Sequence, residues 1–298
     1  MLTEFYFGWE SALIILLQSV LSPMVWMLSF FSEFGEELIL FPLLGMLYWG
    51  YDKKLGEKVG VNLLISIVMC PMLKNLFIRL RPYFVIPEIR CLKPVESGDI
   101  YDVTLQGYSF PSGHAASAAS VYGTIARGSS RRTVRTVCII LIAAVGVSRF
   151  CLGVHYPTDV LAGLAIGLGA VFLNELLSRC VSRKVMYLSV IAVCSSGFFF
   201  CTTTDYYTGY GVLAGGLLGL LYEQKSVGFE NTDSFPKALS RTVGGIIVFV
   251  AMNLLIKWAA GLIPTGDGMS MFIRTLRYGI VSFVCIGVYP HVFRYEKT

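Results

Sequence analysis

The chain has 298 residues, of which 55% are hydrophobic and only 14% charged, and its formal net charge is +5 at pH 7. Soluble domains carry about 25% charged residues, so this composition excludes an ordinary soluble enzyme and predicts an integral membrane protein. The basic residues lie in short loops between apolar runs, where membrane topology explains them without a nucleic-acid partner. The eight cysteines show no spacing typical of a disulfide framework or a metal cluster.

Apolar runs of about the length of a bilayer-spanning helix recur along the chain. Ten spans are predicted, with ends uncertain by several residues, at about 11–31, 38–51, 59–78, 113–126, 134–150, 158–178, 185–203, 208–222, 242–262 and 272–290. These runs predict an all-α fold, a polytopic integral membrane helix bundle. Small residues four apart, at Gly163 and Gly167 and again from Gly211 to Gly219, predict places where helices pack closely.

Lysine and arginine are concentrated in three loops, which fall on one side of the membrane if every run crosses once. These loops are 53–58, 127–135 and 179–184. That side is predicted to be cytoplasmic, while the loop at 32–37, which lacks lysine and arginine, fits the outer side. The polar regions around 74–81 and His155 then also lie outside. Because their positive charge opposes the topology rule, it indicates an anionic ligand.

The first polar cluster follows the third run and contains Lys74, Arg81 and Pro82. Lys74 and Arg81 are nearly two helical turns apart, so they can share one face before Pro82 ends or bends the helix. Two neighbouring cations repel unless an anion lies between them, and phosphate suits both a lysine point charge and an arginine fork. The alternative is snorkelling of basic side chains at the end of a span, which is how Arg79 is interpreted.

The second cluster is Pro111-Ser112-Gly113-His114, directly before the fourth run. Ser112 is a plausible N-cap, Gly113 lets the backbone approach a ligand, and free N–H groups at a helix start favour an anion. His114 then lies beside the anion, where it can donate a proton. The alternative is a capped helix that carries an incidental histidine.

The third cluster contains Arg149, His155 and Asp159. Arg149 can bind phosphate, and His155 can act as a nucleophile through one ring nitrogen if a partner holds the other. Asp159 is four residues on, where it can fix the imidazole tautomer, and Pro157 suits the first turn of the sixth span. The alternative is a helix-capping aspartate beside an interfacial histidine.

Together the three clusters supply cations, a helix-terminus anion site, a proton donor, a nucleophile and an orienting acid. Their predicted position on one side of the membrane favours a single site for phosphoryl transfer through a phosphohistidine. The acidic cluster that would hold magnesium is missing from the pattern, so no metal is predicted.

These residues resemble the three signature motifs of the type 2 phosphatidic acid phosphatase family, the lipid phosphate phosphatases. The family pattern is K-x6-R-P, then P-S-G-H, then S-R-x5-H-x3-D, and the chain matches every position from Lys74 to Asp159. The resemblance covers residues 10–180 and implies a six-helix phosphatase core that works without a metal or other cofactor.

The resemblance also implies a role for each motif residue. His155 attacks phosphorus, Asp159 orients it, and His114 protonates the leaving oxygen. The phosphate oxygens are held by Lys74, Arg81, Ser112, Gly113 and Arg149. Water then hydrolyses the covalent phosphohistidine.

We therefore expect a six-span phosphatase core at 1–182, with its active site on the extracytoplasmic side, and about four additional transmembrane helices at 183–298 packed on that core. Sphingosine-1-phosphate phosphatases resemble the chain in carrying extra C-terminal spans, which says little about substrate. The short loops lead us to expect a multi-pass protein of a bacterial plasma membrane.

The expected activity is hydrolysis of a phosphate monoester or pyrophosphate on a membrane lipid. Phosphatidic acid, a sphingoid-base phosphate, phosphatidylglycerol phosphate and a polyprenyl pyrophosphate all fit. One alternative is a phosphotransferase that uses the same site, and a soluble substrate such as a sugar phosphate is another, since glucose-6-phosphatase resembles this family. A third is a lipid transporter or scramblase that retains only an anion site.

Overall fold

The computed structural model describes residues 5–262 and 266–297, and within these ranges the regular structure is helical. The α-helices are Gly8–Leu21 (α1), Val25–Glu33 (α2), Glu37–Gly45 (α3), Lys53–Phe77 (α4), Pro82–Val85 (α5), Val103–Gln106 (α6), Gly113–Gly128 (α7), Arg132–Cys151 (α8), Pro157–Cys180 (α9), Arg183–Ser195 (α10), Thr204–Ser226 (α11), Phe235–Gly261 (α12) and Asp267–Phe283 (α13). Among the described residues, six helical stretches are long and apolar enough to cross a membrane. The predicted all-α, polytopic membrane class is confirmed, and the number of ten spans stays a prediction.

Two of the predicted runs contain a break that follows from proline. A 3-10 turn at Ser22–Met24, with Pro23 in its first turn, separates α1 from α2. Pro42 lies inside α3, which continues into a π-helical turn at Met46–Tyr51. Proline lacks the N–H that an α-helix needs at an interior position, so the regular hydrogen-bond ladder changes at these points.

The chain separates into two compact units, whose boundaries cut through α3, α4 and α9. One unit contains residues 1–40 and 69–173, and the other contains 41–68 and 174–298. All residues of the three predicted clusters belong to the first unit. The predicted division at residue 182 stays a prediction.

The core of the first unit lies directly beside His155. It is formed by Ile14, Leu28, Tyr83, Ile86, Ile89, Cys151, Leu152, Val154 and Tyr156. The buried amide of Gln18 in α1 joins this core to the loops, because it donates to the carbonyl of Arg90 (2.8 Å) and accepts from the Arg90 N–H (3.0 Å). The segment that carries His155 is therefore held by apolar burial on one side and by a bridging amide on the other.

Gly163 and Gly167 lie where α9 crosses α7. A Cβ at Gly163 would collide with the carbonyl oxygen of Ser112, and one at Gly167 would collide with that of Ala116. The predicted role of these glycines in close helix packing is confirmed. Since Ser112 belongs to the second cluster, the same contact fixes the start of α7 relative to α9.

The second unit is built on an equally close contact between α11 and α13, where Cβ atoms at Gly211 and Gly215 would meet backbone atoms of Thr275 and Gly279. Polar contacts between side chains also stabilise this unit. They are an ion pair of Lys53 with Glu223 (2.7 Å) and hydrogen bonds of Tyr187 with Glu57 (2.6 Å) and of Asn174 with Asn62 (2.7 Å).

Gly163→Ala should lower the midpoint of thermal unfolding in detergent, because the new Cβ forces α9 away from the Ser112 carbonyl. Overpacking of this kind costs about 1–3 kcal/mol. The matched control is Gly169→Ala in the same helix, where a Cβ would meet nothing within 4 Å. Equal unfolding midpoints for the two variants would contradict the close crossing.

Candidate active site

The first cluster is shaped by a sharp turn at the end of α4. Lys74 lies in the last turn of this helix, and Ile78 has a positive φ of 41°, a conformation that a β-branched residue rarely adopts. The turn directs the chain back through Arg79 to Arg81, the N-cap residue of α5, with Pro82 at its first position. The prediction that Lys74 and Arg81 share one face of a helix that Pro82 ends or bends is wrong, because this helix ends at Phe77 and Pro82 begins the next one.

Arg81 is buried, with 1% of its surface exposed. Its guanidinium donates to the main-chain carbonyls of Gln106 (2.6 Å), Gly107 (3.0 Å) and Val154 (2.9 Å). These main-chain partners hold the guanidinium in place. Arg81 is therefore a fixed cation of the site.

The second cluster begins α7 in the predicted way. Ser112 is the N-cap residue and its hydroxyl accepts from the N–H of Ala115, at 3.5 Å. Its own N–H donates to the carbonyl of Asp159 (3.0 Å), which joins this helix start to the third cluster. A Cβ at Gly113 would meet nothing within 4 Å, so the backbone beside His114 borders open space.

The third cluster connects α8 to α9. Arg149 lies in the last turn of α8 and is 1% exposed, and Pro157 starts α9. Arg149 donates through Nη1 to the hydroxyl of Ser32 (2.5 Å), whereas its buried Nε has no hydrogen-bond partner among the described residues. A buried donor without a partner is costly, and a phosphate oxygen would supply the missing acceptor.

The three clusters converge on His155, which is only 2% exposed. Burial lowers the pKa of its imidazole well below the ordinary value, and the charges of Arg81, Arg149, Lys74 and His114 lower that pKa further. The ring is consequently neutral at pH 7, the state in which an imidazole nitrogen has a lone pair for attack. The structure thus brings together the residues that the sequence spacing predicted to meet.

Asp159 is close to His155 but is more tightly held by other groups. Its carboxylate accepts from Arg79 (2.6 Å), from the N–H of Tyr156 (2.7 Å) and from the hydroxyl of Ser109. The distance from Asp159 Oδ2 to His155 Nδ1 is 3.6 Å, beyond a normal hydrogen bond, and Nδ1 has no other partner among the described residues. The carboxylate is the nearest acceptor for Nδ1, and a shift of under about 1 Å would close the bond.

Arg79 has a role that the sequence interpretation missed. It is 1% exposed, and it donates to Glu10 (2.9 Å) as well as to Asp159, so it is not a snorkelling residue at a membrane border. Glu10, which is 0% exposed, also accepts from the hydroxyl of Thr158 (2.6 Å). The feature of the sequence that could have indicated this pairing is Glu10 itself. It is a carboxylate at the start of an apolar run, where an ionisable group is costly and usually has a functional or structural partner.

The loop between α2 and α3, defined as residues 32–37 so that it includes the last two residues of α2, also has a role that was not predicted. Glu36 contacts Nε2 of His114 at 3.1 Å and Lys93 at 2.9 Å, and Ser32 accepts a hydrogen bond from Arg149. The lack of lysine and arginine predicted that this loop lies on the outer side, but it indicated no function. Among the described residues, no three or more histidine, cysteine, aspartate or glutamate side chains are arranged to hold a metal ion.

Two family models match the chain. One, described as the PAP2 superfamily, matches residues 58–185, which include all three clusters, and the other, described as a PAP2 superfamily phosphatase transmembrane extension, matches residues 207–297. The chain belongs to the PAP2 superfamily. The predicted resemblance to type 2 phosphatidic acid phosphatases is confirmed, and the protein is an integral, multi-pass membrane member of that family.

Curated relatives are phosphatases of lipid phosphates. The chain is 29% identical over 146 residues to an undecaprenyl-diphosphatase of Sulfolobus acidocaldarius, a match to 49% of this chain and 66% of that protein. It is 40% identical over 85 residues to phosphatidylglycerophosphatase B of Bacillus subtilis, a match to 26% of this chain and 42% of that protein. It is 28% identical to a decaprenylphosphoryl-5-phosphoribose phosphatase of Mycobacterium tuberculosis, over 53% of this chain and 84% of the relative.

A solved structure shares the fold. The crystal structure of Aquifex aeolicus LpxE superimposes with a TM-score of 0.51 at 25% sequence identity, and the match covers 58% of this chain and 98% of that protein. The remainder of this chain extends beyond the part that the two proteins share.

Arg79→Gln should destabilise the protein by about 3–5 kcal/mol, because it leaves the buried carboxylates of Glu10 and Asp159 without their shared cation. The matched control is Arg179→Gln. Arg179 pairs with Glu175 at 2.6 Å but is 71% exposed, so its loss should change the free energy of unfolding by at most about 1 kcal/mol. Unfolding in detergent would measure both variants, and similar small effects would contradict the buried network.

Proposed function

We propose that this protein is a metal-independent phosphatase that removes a phosphate monoester or pyrophosphate from a membrane lipid through a phosphohistidine intermediate. The observation that carries the proposal is the buried imidazole of His155, which lies close enough to Lys74, Arg81 and Arg149 for their positive charges to act on it. Such a site attracts a phosphate and places a nucleophile beside it. The family membership and the phosphatase relatives support the same reaction class.

In the first step, Nε2 of His155 attacks phosphorus while Nδ1 faces Asp159. A bond forms between nitrogen and phosphorus, and the bond from phosphorus to the lipid oxygen breaks. His114 gives its proton to that oxygen, so the lipid leaves as an alcohol, or as a lipid monophosphate when the substrate is a pyrophosphate. The positive charge on the substituted ring is stabilised by the Asp159 carboxylate, as in other imidazole mechanisms with an orienting acid.

In the second step, water attacks the phosphohistidine. His114, now neutral, accepts a proton from that water, the nitrogen–phosphorus bond breaks, and inorganic phosphate leaves. Lys74, Arg81 and Arg149 balance the charge on the phosphate oxygens in both steps, with help from the hydroxyl of Ser112 and the N–H group of Gly113 at the start of α7. Positioning and charge thus supply the catalysis that phosphoryl transfer requires.

The substrate is proposed as a class. The names of the relatives refer to an undecaprenyl diphosphate, a phosphatidylglycerophosphate and a decaprenylphosphoryl phosphoribose, which have in common a phosphate on a lipid. The residues of the site engage only the phosphate, so its chemistry suits each of them. Phosphatidic acid and a sphingoid-base phosphate fit the same description.

We assign the catalytic core to residues 1–182, since this range contains all of the motif residues, and propose that residues 183–298 form additional helices packed on that core. We place the site on the extracytoplasmic face of a bacterial plasma membrane. This placement is supported by the distribution of lysine and arginine. The basic loops 53–58, 127–135 and 179–184 are predicted to lie on the side of the membrane opposite to the site, and basic loops are typical of the cytoplasmic side.

His155→Ala should lower the turnover of a lipid phosphate at least about a thousandfold, because the nucleophile is removed. Phosphate release by the purified protein would be measured with a chelator present, on phosphatidic acid, a sphingoid-base phosphate, phosphatidylglycerol phosphate and a polyprenyl pyrophosphate. Acid-sensitive, base-stable labelling of the wild type by a radioactive substrate should identify the phosphohistidine.

Substantial phosphate release by the alanine variant would overturn the nucleophile assignment. Activity that the chelator abolishes and magnesium restores would overturn metal independence. If phosphate appears on an added alcohol rather than in solution, the protein is a phosphotransferase instead. Lipid movement that survives His155→Ala, without hydrolysis, would indicate a transporter.

Two single-cysteine proteins test the topology. Cys180 is exposed at the end of α9 and should react with a membrane-impermeant maleimide only after the cells are opened. Tyr101, which is 62% exposed in the long loop of the catalytic unit, should react from outside as Tyr101→Cys. The reverse pattern would place the site on the cytoplasmic face.

A further inference from the structure

The loop between α2 and α3 is fixed against the catalytic cluster at several points. Ser32 accepts from Arg149, and the carbonyl of Phe34 accepts from the hydroxyl of Tyr122 (2.8 Å). A Cβ at Gly35 would lie 2.9 Å from the carbonyl oxygen of His114, so only glycine allows this approach without a shift. The loop therefore forms a wall of the site.

Glu36 is the residue of this wall that reaches the proposed acid. Its Oε1 lies 3.1 Å from Nε2 of His114 and 2.9 Å from Nζ of Lys93. Lys93 is bonded in turn to Glu33 at 2.5 Å. The side chains of Lys93, Glu36 and His114 are 20–32% exposed, so this group borders the open part of the site rather than the core.

His114 must hold a proton when the lipid oxygen leaves, yet its surroundings oppose that state. Burial disfavours an imidazolium most, and the charges of Arg149 and Lys93 add to this effect. Glu36 is the carboxylate that acts in the opposite sense. The negative charge of an arriving phosphate would act in the same direction as Glu36. Without Glu36, the His114 ring would have to gain its proton next to Arg149 and Lys93 without the carboxylate that favours the charged form.

We propose that Glu36 is a positioning residue for His114: its carboxylate accepts a hydrogen bond from Nε2–H and, together with the charge of a bound phosphate, favours the charged ring, so that Nδ1 delivers its proton to the leaving oxygen. After the transfer the neutral ring retains its Nε2–H bond to Glu36, and Nδ1 has the lone pair that accepts a proton from the attacking water. The inference rests on the proposed phosphatase function.

The chain offers a matched control for this role. Glu33 lies in the same loop, is 34% exposed against 32% for Glu36, and bonds the same Lys93. Among the described contacts, Glu36 is the carboxylate that reaches His114. If the acidic side chains of the loop have only a structural role, replacing Glu33 or Glu36 should change the reaction rate to a similar extent. If Glu36 acts in proton transfer, only its replacement should lower the rate.

The experiment compares Glu36→Gln and Glu33→Gln on two substrates. With phosphatidic acid the leaving group is an alkoxide that requires protonation, whereas the nitrophenolate of p-nitrophenyl phosphate leaves without it. In rapid-quench measurements of the first step, Glu36→Gln should be slower on phosphatidic acid by about 10²-fold, within the range of general-acid effects, and nearly unchanged on the aryl ester. Glu33→Gln should match the wild type on both, and Glu36→Asp should restore part of the lipid activity.

A double-variant test on phosphatidic acid alone serves as a second measurement. In a His114→Asn background, Glu36→Gln should cause no further loss, because the acid it serves is gone. The proposal would be overturned if the two substitutions reduced the rate on phosphatidic acid independently, so that their effects multiplied in the double variant. It would also be overturned if Glu36→Gln slowed both substrates equally, or slowed neither while the wild type is active. A wild type that releases phosphate from neither substrate would refute the proposed function itself, a different result from any of these.

Discussion

The carboxylate of Asp159 is the constraint on which the geometry of the site depends. It is fully buried and charged, and such a group is stable only when several partners compensate it. Arg79, Ser109 and the Tyr156 N–H supply those partners, and Arg79 extends the network to Glu10 in α1. Four separate segments must therefore converge before this charge can be buried, and His155 is positioned beside it as a consequence.

This arrangement also gathers cations around His155. Arg79 pairs with both buried carboxylates, and the charges of Arg81, Arg149 and Lys74 act on the His155 ring. A phosphate bound beside that ring would be attracted by these cations. The same network that stabilises the fold thus also forms part of an anion site. If the site faces outward, as proposed, this role explains why arginines occur on the side of the membrane where the topology rule predicts few of them.

The sequence predicted the elements and residues that depend on local pattern. The apolar runs became helices, Ser112 became the N-cap of α7, and the glycines of α9 mark its crossing with α7. Pairings between distant segments were not predictable, since nothing near Arg79 in sequence indicates Glu10, 69 residues away, and nothing near His114 indicates Glu36. The turn at Ile78 was equally hidden, because a β-branched residue at positive φ contradicts its own backbone preference.

The proposed reaction requires opposite protonation states of two histidines in one cluster of cations, and the two rings differ in the carboxylate that each one faces. The proposed nucleophile, His155, faces the Asp159 carboxylate at 3.6 Å, and Arg79 also engages that carboxylate. The proposed acid, His114, lies 3.1 Å from the carboxylate of Glu36. Because the strength of a charge interaction falls with distance and with competition from other partners, the closer carboxylate favours a proton on His114 more than the distant one does on His155.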